Sequence, residues 1–497
     1  MATSIIEHPE IGRPARVSRG ALATLAVFVA IALATRAIWF GDPVADFDEQ
    51  IYSLIGWRMT YGDLPFVEVW DRKPFGLFAI FALAHGLLGP EPIAYQVVAC
   101  LSALAGAGLV YALARSLVDR VSATIAGVLY LMLMAAYGSY SGQSEIFFAP
   151  LMLGMLWLVR DRERADAGRR AALAMLLGGI ALQIKYTVLP QCLFFGGYAL
   201  YAEWREGAGM ARLAKRAADF ALLGVLPTAL VALLYLGTGH FGAFWFANFV
   251  SFFERTPAPL GRMNPDLLIA VVPLVLLVVL GFYAAFRLSP PRNWRLYGLY
   301  CGWCVAALAT VLLPATLYVY YYGALVPAAV LVALPFIDRT TPAKLFPAAL
   351  LLLAAGYDLD YANRYLHSYN ERRTEARLSA AIAQYVGRTK DCLYVFDGPA
   401  ALYRTTGTCL PTRYLYPDHL NNALEARSLE VDQPTEIARV LATKPGVIVT
   451  ADRPMTVQRS VNLELIRQAT TADYRPLITA SLHNREVTAW VRRDLRR

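Results

Sequence analysis

The residues best suited to chemistry are concentrated in one segment, residues 46–74, which reads DFDEQIYSLIGWRMTYGDLPFVEVWDRKP. It contains the adjacent acids Asp48 and Glu49, and it ends with Lys73 directly before a proline. The segment follows the first long apolar stretch of the chain, so it begins where the chain leaves a membrane. A dense acidic cluster at a membrane surface is costly unless it binds a cation or performs chemistry. This segment is therefore the first candidate for a functional site.

A second acid and two further cations extend this candidate site. Glu145 opens an apolar stretch after the polar segment GSYSGQS, and we expect it on the same side of the membrane as Asp48. Lys185 lies near the outer end of another stretch, and Arg255 lies in a long outer loop. If Lys73 and Lys185 converge, they form a site for a phosphate group at membrane depth. Carboxylates beside such cations favour transfer of a sugar from a lipid phosphate, with an acid as the general base.

Each of these residues also has a structural interpretation. Acids such as Asp48 and Glu145 are favoured at the start of a helix through capping and the helix dipole. Lys73 and Lys185 could instead reach lipid headgroups at the membrane surface. One acid suffices to cap a helix, however, whereas the first segment carries several. Three tyrosines are tentative substrate contacts that packing or an interfacial aromatic belt would explain as well: Tyr52, Tyr320 and Tyr321.

The composition indicates a membrane protein. The 497 residues are 57% apolar and 17% charged, which excludes a soluble globule. Repeated apolar stretches of about 17–22 residues can each cross ~30 Å of hydrocarbon as a helix. The net charge of +9 comes from Lys and Arg in short loops between these stretches, which is typical of cytoplasmic loops. The charge therefore does not indicate a nucleic-acid partner.

We predict a polytopic α-helical membrane protein with about eleven transmembrane helices. A cytoplasmic N-terminal tail covers residues 1–20, and a transmembrane region with an outer first loop at 41–92 covers residues 21–358. Within that loop, Gly76–Leu88 is too short to span and is expected to lie in the interface or to re-enter. This assignment places every strongly basic loop on one side. The predicted spans are Ala21–Phe40, Ile93–Ala114, Val121–Tyr137, Glu145–Val159, Ala171–Thr187, Leu189–Ala202, Ala217–Leu236, Leu267–Phe286, Leu296–Leu313, Gly323–Ile337 and Lys344–Tyr357.

The C-terminal residues 359–497 have the composition of a soluble α/β domain, which the span count places on the outer side. The segments CLYVFDG, GVIVTAD and REVTAWVRR are typical of strands. Helical patterns lie at Glu375–Val386, Thr435–Ala442 and Leu463–Thr471. Alternation of strands and helices over about 130 residues indicates a small α/β domain.

The cysteines fall into two groups. Cys392 and Cys409 lie in the C-terminal region, where an oxidising compartment would allow them to form a disulfide. Cys301 and Cys304 lie on one apolar helix face with no histidine nearby, which favours core packing over a metal site. We therefore predict no metal site.

The segment DFDEQIYSLIGWRMTYGDLPFVEVWDRKPFGLF resembles the first outer loop of GT-C fold glycosyltransferases. The nearest group is that of bacterial dolichyl-phosphate-mannose-protein mannosyltransferase-like proteins, which includes lipid A aminoarabinose transferases. These families have an acidic pair after the first span, a Lys-Pro step after it and a second acid in the next outer loop. The resemblance covers roughly residues 20–340 and extends loosely into the C-terminal region through YVFDGPAALYRTTGTCLPTRYLYP.

The resemblance implies a polyprenyl-phosphate sugar donor and inverting transfer at the periplasmic face of a bacterial inner membrane. Asp48 matches the catalytic base, Glu49 its acidic neighbour and Glu145 the second acid. Lys73 matches the lysine that holds the donor phosphate, and Lys185 and Arg255 are placed beside it by position. The transferred sugar would be a hexose or a pentose, and the acceptor a hydroxyl of lipid A or lipopolysaccharide, an envelope glycan or a protein. No cofactor is expected to be required.

Two other function classes stay open at this point. A transporter or flippase for a lipid-linked sugar would need ionisable residues at the bilayer midplane, often within broken helices. Here the ionisable residues lie near the outer ends of the predicted spans, and no inverted repeat is visible. A structural subunit that binds envelope partners through its outer domain would leave the acidic first loop unexplained. The sequence therefore favours the glycosyltransferase.

Overall fold

The computed structural model describes residues 19–256, 265–314, 318–340 and 346–496. The predicted N-terminal tail therefore lies almost wholly outside the described residues. The helices are α1 (Arg19–Arg36), α2 (Phe47–Met59), α3 (Phe75–Leu88), α4 (Ile93–Ala114), α5 (Arg120–Ala136), α6 (Ser144–Val159), α7 (Ala167–Leu182), α8 (Leu189–Arg205), α9 (Met210–Gly237), α10 (Phe241–Trp245), α11 (Ser251–Glu254), α12 (Pro265–Arg287), α13 (Trp294–Leu312), α14 (Val326–Val332), α15 (Leu334–Ile337), α16 (Phe346–Ile382), α17 (Ala401–Thr405), α18 (Pro417–Asn421), α19 (Gln433–Ala442) and α20 (Ser460–Asp473).

The chain is a mainly helical, multi-pass membrane protein by the length and composition of its helices. Within the described ranges, five segments are long and apolar enough to cross a membrane. They are Arg19–Trp39, Ile93–Ala114, Met210–Gly237, Ile269–Arg287 and Trp294–Leu312. The predicted count of about eleven spans is not confirmed, because helices such as α5 and α6 are shorter than this criterion requires.

One predicted span differs from the structure. The segment Gly323–Ile337 is not a single helix, because a 3₁₀ turn, Val319–Ala324, precedes α14, and α15 begins anew after Ala333. Each of these two short helices has a proline in its first turn. Proline is tolerated there because its missing N–H would have no partner, but it interrupts a continuous helix.

Helices α2 and α3 form the framework of the first loop. Asp46 caps α2 by accepting a hydrogen bond from the backbone N–H of Asp48 at 3.0 Å. Gly56 of α2 allows close approach to α3, since a Cβ atom there would lie 2.5 Å from the Cβ of Phe81. Helix α3 was predicted as the short apolar segment Gly76–Leu88, and the structure forms a helix there. Its depth in the membrane stays a prediction.

The C-terminal region contains a four-stranded mixed sheet in the order β1-β2-β4-β3. Strands β1 (Leu393–Val395) and β2 (Val447–Ala451) are parallel, and β4 (Arg485–Arg492) pairs antiparallel with both β2 and β3 (Tyr474–Leu482). The three predicted strands are present, and Cys392 and Cys409 form a disulfide. Strand β3 was not predicted, because its exposed and partly exposed residues give no clear alternation.

Helix α16 joins the membrane helices to the sheet without a break. The sequence predicts a span over Lys344–Tyr357 and a separate helix over Glu375–Val386, whereas the structure has one helix that includes Tyr357 and Glu375 and ends at Ile382. Residues 344 and 345 lie outside the described residues. Ser368 on α16 donates a hydrogen bond to Asp42 Oδ2 at 2.7 Å. Arg372, one turn further on, donates to the backbone oxygen of Phe40 at 2.8 Å. The helix therefore fixes the start of the first loop, while the domain boundary at 358/359 stays a prediction.

Candidate active site

A cavity of about 420 Å³ lies where the first loop meets the C-terminal region. The first loop and the turn after α7 contribute one set of lining residues, and the segments 397–400, 416–425 and 455–456 contribute another. The polar and aromatic lining residues from the first 321 positions are Asp46, Phe47, Asp48, Gln50, Tyr52, Asp71, Arg72, Lys73, Gln143, Lys185, Tyr186, Thr187, Phe252, Arg255, Tyr318, Tyr320 and Tyr321. A concave site of this size with converging polar groups is the usual setting for a binding or catalytic site.

Asp48 faces this cavity from the first turn of α2. Its Oδ1 accepts a hydrogen bond from the Tyr416 hydroxyl at 3.1 Å, and its Oδ2 accepts one from the Tyr52 hydroxyl at 3.2 Å. The same Oδ2 lies 3.9 Å from Lys73 Nζ. Because Asp46 performs the capping, the Asp48 carboxylate is not needed for the helix start. The capping interpretation therefore applies to Asp46, and Asp48 is left as a carboxylate held by two hydroxyl groups and a cation.

Glu49 does not line the cavity, although it is adjacent to Asp48 in the sequence. It is fully buried and accepts hydrogen bonds from the Tyr95 hydroxyl at 3.1 Å and the Gly142 N–H at 2.7 Å. Burial raises the pKa of Glu49, and the neighbouring Asp46 carboxyl raises it further. Successive side chains of a helix point about 100° apart, which sends the two carboxylates in different directions. A role for Glu49 at the reaction centre stays a prediction.

Glu145 and Lys185 form a buried ion pair between α6 and the turn after α7. Glu145 is 1% exposed and does not line the cavity, whereas Lys185 is 7% exposed and does. The Lys185 ammonium also lies 4.1 Å from the ring centre of Tyr321 and 5.6 Å from that of Tyr320. These cation–π contacts explain the position of both tyrosines in the wall. The pair therefore presents one cation to the cavity, with its counter-ion behind it.

Lys73 is positioned by its own neighbour Asp71. The Lys73 N–H donates a hydrogen bond to Asp71 Oδ1 at 2.8 Å, and the other oxygen lies 3.5 Å from His419 Nε2. Burial opposes ionisation of Asp71, but the hydrogen bond and charge of His419, with Lys73 and Arg72 nearby, lower its pKa below the ordinary value. Asp71 was left without a role by the sequence, and the structure places it as a support for Lys73.

Arg72 and Arg255 meet at a carboxylate that the sequence did not single out, that of Glu425. Arg72 binds both oxygens of Glu425 through its two terminal nitrogens, one at 3.0 Å, and Arg255 Nε lies 2.8 Å from Oε1. Burial opposes ionisation, but the two arginines and Ser428 lower the pKa of Glu425 to about 2. Arg72 and Glu425 are 353 positions apart, so no local pattern connects them.

The structure therefore brings most of the predicted residues together. Asp48, Lys73, Lys185, Arg255, Tyr52, Tyr320 and Tyr321 line the cavity, whereas Glu49 and Glu145 lie behind its wall. The residues that the sequence missed include Glu425 and one stretch, YLYPDH, which supplies Tyr416, Asp418 and His419. Its density of aromatic and acidic residues was the available signal. In the part of the chain that the structure describes, no group of three His, Cys, Asp or Glu residues could hold a metal ion.

Comparisons with known proteins agree with this fold. The family model for dolichyl-phosphate-mannose-protein mannosyltransferase matches residues 72–235, which include Lys73, Glu145 and Lys185. ArnT from Cupriavidus metallidurans bound to undecaprenyl phosphate superposes with a TM-score of 0.61 at 16% identity, covering 94% of this chain and 98% of that chain. Its apo state gives 0.62 with the same identity and coverage. A search of curated proteins found no match. The predicted GT-C fold is thereby confirmed, and the chain is similar to the dolichyl-phosphate-mannose-protein mannosyltransferases.

Proposed function

We propose that the protein is an inverting glycosyltransferase that moves one sugar, a hexose or a pentose, from a polyprenyl-phosphate carrier to an acceptor hydroxyl. The observation that carries this proposal is the convergence of Asp48 with Lys73, Lys185 and Arg255 on one cavity. A general base beside several cations suits a reaction with a hydroxyl nucleophile and a phosphate leaving group. The fold it shares with an ArnT crystallised with undecaprenyl phosphate supports a lipid phosphate as the donor.

The proposed reaction is a single displacement. Asp48 accepts the proton of the acceptor hydroxyl, and the acceptor oxygen forms a bond to the anomeric carbon of the donor sugar. The bond from that carbon to the phosphate oxygen breaks on the opposite face, and the lipid phosphate leaves with the bonding electrons. Lys73 and Lys185 stabilise the negative charge that develops on the phosphate. Inversion at the anomeric carbon follows from attack opposite to the leaving group.

Two tyrosines prepare Asp48 for this role. The hydroxyl groups of Tyr52 and Tyr416 each donate to one carboxylate oxygen, which fixes the plane of the carboxylate. Lys73 Nζ lies 3.9 Å from Asp48 Oδ2, on the cavity side of the carboxylate. Arg255 faces the same cavity and extends the phosphate site toward the C-terminal region. No step of this mechanism passes through a metal ion.

The acceptor is proposed to enter on the side of the C-terminal region. Tyr416, Asp418 and Thr456 supply polar groups to that wall, suited to a hydroxylated acceptor. An acceptor of the bacterial envelope fits the proposed location at the periplasmic face of the inner membrane. Lipid A or another lipopolysaccharide component, an envelope glycan or a protein would each present such a hydroxyl. Mass spectrometry of lipids and glycans from cells with and without the protein would identify the acceptor, since its mass should differ by one sugar.

The assignment of Asp48 is tested by Asp48→Asn, which preserves shape and removes the base. Transfer should fall by at least about 100-fold, as expected for the loss of a general base, while the purified protein keeps its melting temperature. Asp63→Asn is the matched control, because Asp63 lies in the same loop but pairs with Arg58 at 2.5 Å and does not line the cavity. Full activity of the Asp48 variant would overturn the proposed mechanism.

A further inference from the structure

The charges that face the cavity are unevenly paired. Among the described residues, the Lys and Arg side chains that line it are Lys73, Lys185, Arg72 and Arg255. The two lysines each have a carboxylate of their own, Asp48 for Lys73 and Glu145 for Lys185. The two arginines share the single carboxylate of Glu425. Four cations thus contact three carboxylates, and the two arginines are the ones that share a partner.

Glu425 is held in place as a fixed anion. Arg72 contacts both carboxylate oxygens, and Ser428 Oγ donates a further hydrogen bond to Oε2 at 2.8 Å. The side chain of Glu425 is only 4% exposed. A guanidinium that binds a carboxylate with two parallel hydrogen bonds has its best anion-binding edge occupied. The positive charge of Arg72 is therefore largely satisfied within the protein.

Four more acids that line the same cavity limit its positive charge: Asp46, Asp71, Asp397 and Asp418. Asp71 and Asp418 both line it, and Asp418 lies seven positions before Glu425. Asp71 has His419 at 3.5 Å, whereas Asp418 accepts hydrogen bonds from the side chains of Thr456 at 3.4 Å and Asn422 at 3.5 Å. The site thus offers no surplus of cations for a second phosphate group. An anion that enters a closed site without a matching cation loses its hydration without compensation.

We propose that Glu425 is a specificity-determining residue, which neutralises Arg72 and Arg255 and so restricts the cavity to donors with one phosphate group. This inference rests on the proposed function and deepens it. A diphosphate-linked carrier brings at least one more negative charge than a monophosphate-linked carrier. Glu425 opposes that extra charge by repulsion and by occupying the arginines that would bind it. Exclusion of a wrong ligand by an unfavourable charge is a common basis of specificity.

The test compares the dissociation constants of undecaprenyl phosphate and undecaprenyl diphosphate for the full chain in lipid nanodiscs. Wild type should prefer the monophosphate. In Glu425→Gln that preference should shrink by about tenfold, the expected effect of one charged hydrogen-bonding group, mainly because the diphosphate binds more tightly. Arg72→Gln should shift the preference the other way, since it removes a cation and leaves Glu425 with one arginine. A merely structural role would change the affinity for both lipids alike.

Two control variants complete the test. Glu425→Asp keeps the charge and should keep the preference for the monophosphate. Glu430→Gln removes a carboxylate that pairs with Arg413 at 2.6 Å and does not line the cavity, and it should match wild type. The role of Glu425 is overturned if Glu425→Gln leaves the ratio of the two dissociation constants unchanged. It is also overturned if Arg72→Gln shifts that ratio in the same direction as Glu425→Gln. If the Glu425→Gln protein does not fold, the sign of the Arg72→Gln shift decides. Wild type that binds neither lipid overturns the proposed donor class instead.

Discussion

The cavity contains two ion clusters that are built in different ways. Lys185 and Glu145 form a pair of one cation and one carboxylate, 40 positions apart in the chain. Arg72 and Arg255 share Glu425, which reaches them from a segment 353 positions after Arg72. The first cluster is supplied entirely by the helical part of the molecule, and the second needs the C-terminal region. The cationic side of the cavity is therefore only partly a property of the helical part of the molecule.

The two clusters also differ in exposure, and this sets their energetic consequences. The Lys185 and Glu145 side chains are 8% and 1% exposed, so breaking the pair leaves a charge with almost no access to water. The Arg72 and Arg255 side chains are 17% and 18% exposed, so water partly compensates them when Glu425 is lost. Removing one partner of a buried ion pair lowers the stability of the protein more than weakening an ion pair at a cavity surface does.

The largest effect is expected from Lys185→Met. This change leaves Glu145 buried without its counter-ion, and the protein should lose about 3–5 kcal/mol of stability. Thermal unfolding of the full chain in nanodiscs measures the loss, and Lys185→Met combined with Glu145→Gln should recover most of it. Transfer activity should not recover in the double variant, because the cavity still lacks its cation. If Lys185→Met alone is as stable as wild type, the Glu145 carboxylate is not shielded from water as its burial indicates.

A somewhat smaller effect is expected from acid at the second cluster. The pKa of Glu425 is lowered from 4.5 to about 2, so its contribution to stability is fully present above pH 4.5 and is lost as the pH falls toward 2. The shift corresponds to about 3 kcal/mol. The difference in melting temperature between wild type and Glu425→Gln should therefore shrink as the pH falls from 6 to 3. If the melting temperatures of the two proteins differ by the same amount at every pH, the prediction is contradicted. The control Glu430→Gln should have the wild-type melting temperature at each pH.

The smallest effect should come from the two hydroxyl groups on Asp48. Tyr52→Phe removes a donor from the first loop, and Tyr416→Phe removes one from the C-terminal region. Each loss should cost about 1 kcal/mol, or roughly fivefold in kcat/KM, because the carboxylate keeps its other partners. If Tyr416→Phe keeps the wild-type kcat/KM while Tyr52→Phe loses activity, the C-terminal region does not support Asp48.

The sequence predicted those parts of the site that local patterns encode. Asp48, Lys73 and Lys185 were found because each stands at a boundary between a polar loop and an apolar stretch. Glu49 was placed beside Asp48, but the rotation between successive helix residues turns it into the protein interior. Glu425 could not be found, because its significance depends on tertiary contact with Arg72.

The same distinction holds for the fold. Most of the long helices and three of the four strands followed from the sequence pattern, whereas the continuity of α16 did not, since its polar second half looks like a separate segment. A helix whose two halves pack in different surroundings has no single apolar face along its length. The sequence therefore indicated the membrane part and the sheet, and it missed the element that joins them.

Tyr416 follows its partner Asp48 at a long distance in the chain, and this separation has a consequence for biosynthesis. The ribosome must add 368 residues after Asp48 before Tyr416 exists, which takes roughly 20–70 s at 5–20 residues per second. During that time the first loop already exists, yet one wall of its cavity has not been made. A nascent chain, or one cut short before Tyr416, therefore carries the acids and lysines in an open cleft and should be inactive. By the proposed mechanism, the chain cannot be active before Tyr416 has been made.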